Sequence, residues 1–377
     1  MVDVFAVAEV LVQHVKKNYA KDIAIIAYYG SYAQGTATKR SDLDFFFIPA
    51  APEGYQASIQ FVLNEISYDF WPISWERAEG MATLEESKTT IIVDSQLLYT
   101  RSEEDYNRFM GLRDKTIALQ QPQQALTFIE KAESMLRDNY VYLYQMSRAD
   151  ANADLTLFRM EAEELLTNTI QSLALLNQTY FTKGWGKNRE QIMSLPIKPV
   201  RLEQLHDIII QSKLPSEIVA ACEQLTEGTI KLVLQKKDEH VSRSSYPDRM
   251  KGFYEEIKGG LDKIMTACER EDYDTAYYSV LNVQNEIAQF LFYAAKGQWP
   301  SGLEAKTASQ YVYSRLGLPN LAILLDPHDF APLQAAVEQL NELLENHLRA
   351  QGVNILKFDT LDQFESYLNK AFENMNK

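Results

Sequence analysis

Residues 25–50 read IIAYYGSYAQGTATKRSDLDFFFIPA. An apolar run ends on Gly30-Ser31, ten residues from Tyr32 to Ser41 form a polar loop, and Asp42-Leu43-Asp44 heads the next apolar run. Side chains in a strand alternate between its two faces, so Asp42 and Asp44 share one face while Leu43 takes the other. Two carboxylates a few ångströms apart repel and raise each other's pKa unless a cation stands between them. Oxygen donors of this kind suit Mg²⁺, which is commonly held by one or two carboxylates together with substrate phosphates. Beside them, Gly30 lets the backbone approach a phosphate closely, and the Ser31 hydroxyl can donate to its oxygens.

Outward from this stretch, Val2 to Tyr19 carries apolar residues at helical spacing (Val4, Val7, Ala8, Leu11, Val12, Val15) and predicts an amphipathic helix. Ile23 to Tyr29 predicts a first strand and Asp42 to Pro49 a second. The segment SIQFVLNEISYDFWPIS, residues 58–74, predicts two strands joined near Asn64-Glu65, with Ser74 as the cap of a helix over WERAEGMA. IIVDSQLLYT, Ile91 to Thr100, predicts a further strand, and Ser102 caps the helix begun by SEEDYNRF. From about Gln121 strand-like runs largely stop. Helical segments are expected over Leu126–Met146, Leu155–Phe181, Leu202–Lys213, Ser216–Lys237, Met250–Glu269, Asp274–Ala295 and Pro332–Gln351. The polar stretch Lys236–Arg249 separates two helical groups. The expected fold class is therefore α+β, a mixed sheet with helices followed by an all-α region, divided as 1–120, a helical bundle over 121–240 and a second helical domain over 245–377.

Composition narrows the function. With 377 residues, 46% of them hydrophobic, the chain is long enough for more than one core. The opening segment carries Asp3 and Glu9 where a signal peptide would be basic and then apolar, and a cytoplasmic location is expected. Cys222 and Cys268 lie far apart without a partner motif, and the five histidines show no ligand spacing, which argues against zinc. A net charge of −15 opposes binding to phosphate backbones, so nucleic acid is disfavoured as a partner, and no membrane association is expected. The same field attracts a small cationic acceptor, although acidity of this size also serves solubility.

The order strand, Gly30-Ser31, ten residues, Asp42-Leu43-Asp44 in a strand resembles the signature of the DNA polymerase β nucleotidyltransferase superfamily. The resemblance implies a polymerase β-like fold for the N-terminal head and a third carboxylate on a later strand, a position that Asp69 matches. It also implies two-metal phosphoryl transfer. Asp42 and Asp44 would hold the Mg²⁺ bound to the triphosphate of ATP, Asp69 would join them at a second Mg²⁺, and Gly30, Ser31, Lys39 and Arg40 would contact the phosphates. A head of this size followed by helices is similar to kanamycin nucleotidyltransferase and related aminoglycoside and lincosamide adenylyltransferases. That family places a general-base Glu on its first helical-domain helix. Here the nearest acids are Glu133 and Asp138, and the base stays open among these two and Asp69. The resemblance covers roughly Val2 to Phe109 and beyond it is architectural, with some similarity around LNQTYFTKGWGKNR.

The function so implied is transfer of a nucleoside monophosphate, AMP from ATP, to a hydroxyl of a small-molecule acceptor. A protein adenylyltransferase paired with a helical toxin and a non-catalytic nucleotide-binding scaffold are the alternatives. Homodimerisation is left open. Tyr140, Tyr142 and Tyr144, two apart, cannot share one helical face, so some are expected in the core and some in a cleft. Trp71 and Trp75 are expected to wall the pocket or to pack the hairpin on the next helix.

Overall fold

The computed structural model describes residues 3–39, 41–86, 88–149, 155–184, 186–240, 244–303 and 306–375. Asp3 accepts a hydrogen bond from the Phe5 amide and caps α1 (Val4–Asn18), which buries Val4, Val7, Ala8, Val12 and Val15. The strands are β1 (Ile23–Tyr29), β2 (Asp44–Pro49), β3 (Ile59–Leu63), β4 (Ile66–Pro72) and β5 (Gln96–Thr100), in the order β3-β4-β2-β1-β5. Only β2 and β4 run parallel; the other neighbours are antiparallel.

This order explains the lack of alternation in DFFFIP. A strand covered on both faces has no polar side to show. Phe45 and Phe47 pack with Tyr68, Phe70 and α1 on one face, while Phe46 and Ile48 meet Ile73, Ala78, Met81, Ile92 and Phe109 on the other. The second face is covered by α3 (Trp75–Ala82), α4 (Thr89–Val93) and α5 (Glu103–Leu119). The expected caps are present: Ser74 accepts from the Arg77 amide and Ser102 from the Asp105 amide. Asn64 and Glu65 both take positive φ, 51° and 62°, and close the two-residue hairpin between β3 and β4.

Three readings need correction. The second strand begins at Asp44, so Asp42 stands in the loop ahead of it. Ile91 to Thr100 is not one strand: Thr89–Val93 is a helical turn and only Gln96–Thr100 is β5. There the β-branched residues follow the packing, since Thr89 donates to the Met81 carbonyl and Ile91 and Ile92 fill the core. The long helix expected over Leu126–Met146 breaks at Arg137-Asp138 into α6 (Ala125–Leu136) and α7 (Asn139–Arg148). At the break the buried Asn139 amide donates to the hydroxyls of Thr169 and Thr226, which holds α7 to its neighbours.

The chain divides into two compact units, Met1–Lys237 and Asp238–Lys377. The first contains the sheet together with α6, α7, α8 (Leu155–Leu176), α9 (Arg189–Ser194), α10 (Leu202–Gln211) and α11 (Pro215–Asp238). The second contains α12 (Tyr246–Arg249), α13 (Phe253–Glu269), α14 (Tyr273–Lys296), α15 (Thr307–Arg315), α16 (Ala331–Ala350) and α17 (Leu361–Met375). Its core gathers Ile257, Leu261, Val280, Ile287, Leu340 and Leu344. Glu345 ties the segment after α16 to this core, accepting from Tyr254, Arg349 and Lys357.

Candidate functional site

β1 ends at Tyr29 and hands over to a single helical turn, α2 (Gly30–Ala33), with Gly30 at φ 75°. Glycine is required there twice. The left-handed conformation is strained for other residues, and a Cβ at this position would collide with the carboxylate of Asp44. The backbone therefore runs directly against Asp44. Tyr29 is the register partner of Asp44 across β1 and β2, and Phe45 is level with Phe70 in the parallel pair, which sets Asp44 beside Asp69. Leu43 is fully buried in the α1-side core, so alternation sends Asp44 to the opposite face.

Asp42, Asp44 and Asp69 feel one another's charge. Burial first, then Asp42 and Asp69, raise Asp44 to about 6, and Lys187 pulls in the other direction. Asp42 is raised as well, chiefly by burial and then by Asp69, against a lowering backbone hydrogen bond. Asp69 is the exposed member of the trio, and its Oδ1 accepts from the Gln60 amide at 3.1 Å. Above them the phenol of Tyr29 is pushed up to about 12 by burial and by Asp44. A hydrogen bond from Trp71 opposes that rise, and the two rings meet edge to face at 6.5 Å.

Gly30, Ser31, Asp42, Asp44 and Asp69 are thus brought together. Lys39 is exposed in the loop, and Arg40 lies outside the described residues. Lys187 is the residue that sequence reasoning missed. It sits in the loop after α8, and that loop is clamped to the head: Thr182 O accepts from Gln34 and from Thr90, and the Tyr180 hydroxyl donates to Asp94 at 3.3 Å. The signal was the Gly-Lys-Asn run in the KGWGKNR segment, a glycine-flanked cation in a polar loop.

Glu133 does not present a free carboxylate. It is buried in ion pairs with Lys237 at 2.8 Å and Arg137 at 3.8 Å. Asp138 occupies the exposed N-cap position of α7. Of the three tyrosines, Tyr140 and Tyr144 are exposed and Tyr142 lines a cavity of about 960 Å³ with Gln145, Arg159, Met160, Glu161 and Glu164. This cavity lies between α7 and the first turns of α8, at the other end of α8 from the Thr182 clamp. Trp75 packs under Arg108 at 4.1 Å.

The donor chemistry of the aspartates fits Mg²⁺: oxygen ligands only, a carboxylate raised to about 6 by burial and by its two acidic neighbours, and an adjoining backbone with no Cβ in the way. Among the described residues no three acidic, histidine or cysteine side chains converge tightly enough to hold a metal ion by themselves. An ion here would complete its shell with phosphate oxygens and water, the usual habit of Mg²⁺.

Comparison with known proteins agrees with this architecture. Residues 9–99 match the nucleotidyltransferase domain, and residues 106–239 match the KNTase C-terminal domain. No protein of curated function matches. Among solved structures, the nucleotidyltransferase-like protein from Exiguobacterium sibiricum 255-15 is 11% identical, over 62% of this chain and 79% of that one, with a TM-score of 0.36. No helix among the described residues is long and apolar enough to cross a membrane.

Proposed function

Because this chain belongs to the polymerase β-like, kanamycin nucleotidyltransferase-type superfamily and is a nucleotidyltransferase, we propose that it moves AMP from ATP to a hydroxyl of a small-molecule acceptor in a Mg²⁺-dependent reaction. The observation that carries this reading is the contact of Gly30 with Asp44: a backbone bare of any Cβ lies directly against a partly buried carboxylate raised by burial and by the two neighbouring aspartates.

In this reading Asp42 and Asp44 would hold the Mg²⁺ that accompanies the triphosphate, and Asp69 would join them at a second ion. The bound metal supplies charge neutralisation at the phosphates and Lewis acidity at the α-phosphorus. The chain's own groups do the rest. Ser31 donates its hydroxyl to a phosphate oxygen, and Lys187, held by the clamped loop, sets an ammonium toward the leaving pyrophosphate. Lys39 adds charge from the loop, and Arg40 is the next residue in sequence. Asp69 is exposed and can receive the proton of the attacking hydroxyl, whereas Glu133 is already committed to Lys237. A cationic acceptor agrees with the net charge of −15 and an aminoglycoside-like amine is one such class. A tyrosine or serine on a partner protein is the second reading, favoured by the same chemistry and by the exposure of Asp69.

The deciding experiment is thermal unfolding with ATP and a non-cleavable ATP analogue, with and without Mg²⁺, on the wild type and Asp44→Asn. Ligand at about a hundred times its Kd adds roughly 2.7 kcal/mol. The reading expects that shift only with Mg²⁺ and only in the wild type. No response in either protein would remove the nucleotide from the site.

A further inference from the structure

Gln34 stands at the C-cap of α2, where its N–H bonds back to the Gly30 carbonyl. The Thr36 N–H takes the Ser31 carbonyl at 2.8 Å. The turn is thus closed by its own backbone, and the Gln34 side chain is left to serve another partner. It donates to Thr182 O, 148 residues further along the chain.

Thr182 lies in the irregular stretch between α8 and α9, where its carbonyl has no place in a helix or sheet ladder. Thr90 reaches the same oxygen at 3.4 Å, but its hydroxyl has a single proton and a nearer acceptor in Asp94 Oδ2 at 2.9 Å. Gln34 is therefore the head's main donor to this carbonyl. The stretch is also held from within and at its far end. Gln191 donates to the Thr182 hydroxyl at 3.0 Å and accepts from the Lys183 amide at 3.3 Å. Arg189 forks onto both carboxylate oxygens of Asp207, at 2.7 and 3.1 Å, and meets Glu203 at 3.1 Å. Lys187, whose charge Asp44 feels, lies between the Thr182 and Arg189 anchors.

We propose that Gln34 is a positioning residue for Lys187, so that the turn that meets the triphosphate also fixes the loop that brings the ammonium to it. This rests on the reading of Gly30-Ser31 as the phosphate turn. An ammonium on a loose loop would lose that freedom at every binding event, at a cost in affinity. A loop tied to the phosphate turn at one end and to α10 at the other has lost it already on folding. Without the Gln34 amide, Thr182 O loses that donor and the Lys187 loop keeps its firm anchors only on the helical side.

Calorimetric titration of the full chain with the non-cleavable ATP analogue and Mg²⁺ tests this as a double-mutant cycle: wild type, Gln34→Met, Lys187→Met and the pair. Methionine keeps the length of glutamine and removes the donor. Lys187→Met is expected to weaken binding about 10-fold and Gln34→Met about 5-fold. In the Lys187→Met background Gln34→Met is expected to cost less than about twofold more, because the loop then has no ammonium to present. Equal weakening in both backgrounds, or none in either, overturns the proposal and leaves the nucleotide reading standing. Limited trypsin digestion without nucleotide gives a second measure: cleavage after Lys183 is expected about 10-fold faster in Gln34→Met than in the wild type. Unchanged cleavage there overturns the proposal as well. A wild type that binds no analogue ends the nucleotide reading, and the role of Gln34 at the phosphates with it, whatever trypsin shows. Should Gln34→Met fail to fold, Gln34→Asn, whose amide is one methylene short of Thr182 O, takes its place in both measurements.

Discussion

Asp44 in the head and Glu345 in the C-terminal unit are both partly buried carboxylates in a strongly acidic chain, and the fold treats them in opposite ways. Glu345 accepts from Tyr254, Arg349 and Lys357 and is pulled down to about 2, the Lys357 bond counting most. Asp44 is raised to about 6 by burial, with two more aspartates nearby and Lys187 as the opposing charge. One carboxylate has its counter-charges built in and ties a tail to a helix bundle. The other is buried among like charges, which is costly for folding and, on the proposed reading, would serve to hold a cation and a triphosphate.

Asp44→Asn is the sharpest way to break this contrast. On the proposed reading, in which Asp44 would be a ligand in a metal-assisted phosphoryl transfer, its removal should lower the rate by about three orders of magnitude or more. The metal-free protein should at the same time gain about 1–2 kcal/mol, because the like-charge and desolvation penalty goes with the charge. Pyrophosphate release and thermal unfolding measured on one preparation check both. A variant that releases pyrophosphate at the wild-type rate would remove Asp44 from the chemistry.

Gly30→Ala comes next. Alanine must adopt φ near 75° and its Cβ must displace the Asp44 carboxylate. A displacement of this kind at a reacting centre is worth roughly a hundredfold in kcat/KM. Wild-type kinetics in the alanine variant would show that the close approach of backbone to Asp44 has no catalytic use. Lys187→Met should reduce kcat/KM by about 10–100-fold through weaker triphosphate binding, and it should raise Asp44 further, since the lysine is the charge that lowers it. An unchanged KM for ATP would leave Lys187 as an electrostatic neighbour only.

The part of the site that lay within one stretch of sequence was legible, and the part that depends on tertiary return was not. Gly30 and Ser31 are set by a turn and Asp44 by strand alternation, both local rules, and Asp42 sits two residues before Asp44 at the end of the loop. Asp69 followed from the resemblance, which implies a third carboxylate on a later strand, and β4 carries it. Leu43 behaved as its place between two aspartates requires, entering the α1-side core. Lys187 comes from a loop far along the chain that reaches the head through the Thr182 clamp, and no periodicity announces such a return. The misread segments have one physical cause. In IIV of α4, and at the break between α6 and α7, tertiary partners override local preference: Met81 O for Thr89, and the hydroxyls of Thr169 and Thr226 for Asn139. The C-terminal helix α17 stands where no helix was expected. Its exposed Leu361, Phe364 and Leu368 show why a pattern search tuned to buried faces passes it over.

Glu345→Gln probes the other side of the contrast and is expected to have a smaller effect. Glutamine keeps the shape but loses the charge that Lys357 and Arg349 share, so the C-terminal unit should lose about 1–2 kcal/mol while ATP-dependent activity stays as it was. Calorimetry on the variant separates the two outcomes. Loss of activity without loss of stability would contradict the assignment of Glu345 to structure.

The same pair predicts opposite responses to pH. Asp44 has a folded-state pKa of about 6 against an ordinary value of 3.8. The folded state therefore keeps a proton that the unfolded chain has already released, and stability falls as pH rises through that window. Asp42 is shifted in the same direction. Glu345 has a folded-state pKa of about 2 against 4.5, so its contribution is complete above pH 4.5 and is lost as pH falls toward 2. Between pH 8 and pH 5, then, the metal-free wild type should gain stability relative to Asp44→Asn, while Glu345 contributes a constant and His206 and His347, lowered by burial from the ordinary imidazole value, cost both proteins alike. With Asp44 partly open to solvent the gain is about 1–2 kcal/mol, or a few degrees in Tm for a unit of this size. Unfolding scans at pH 8 and pH 5 on the wild type and Asp44→Asn measure it directly. The wild type should rise by that amount relative to Asp44→Asn, and an equal change in both would place the titrating group elsewhere.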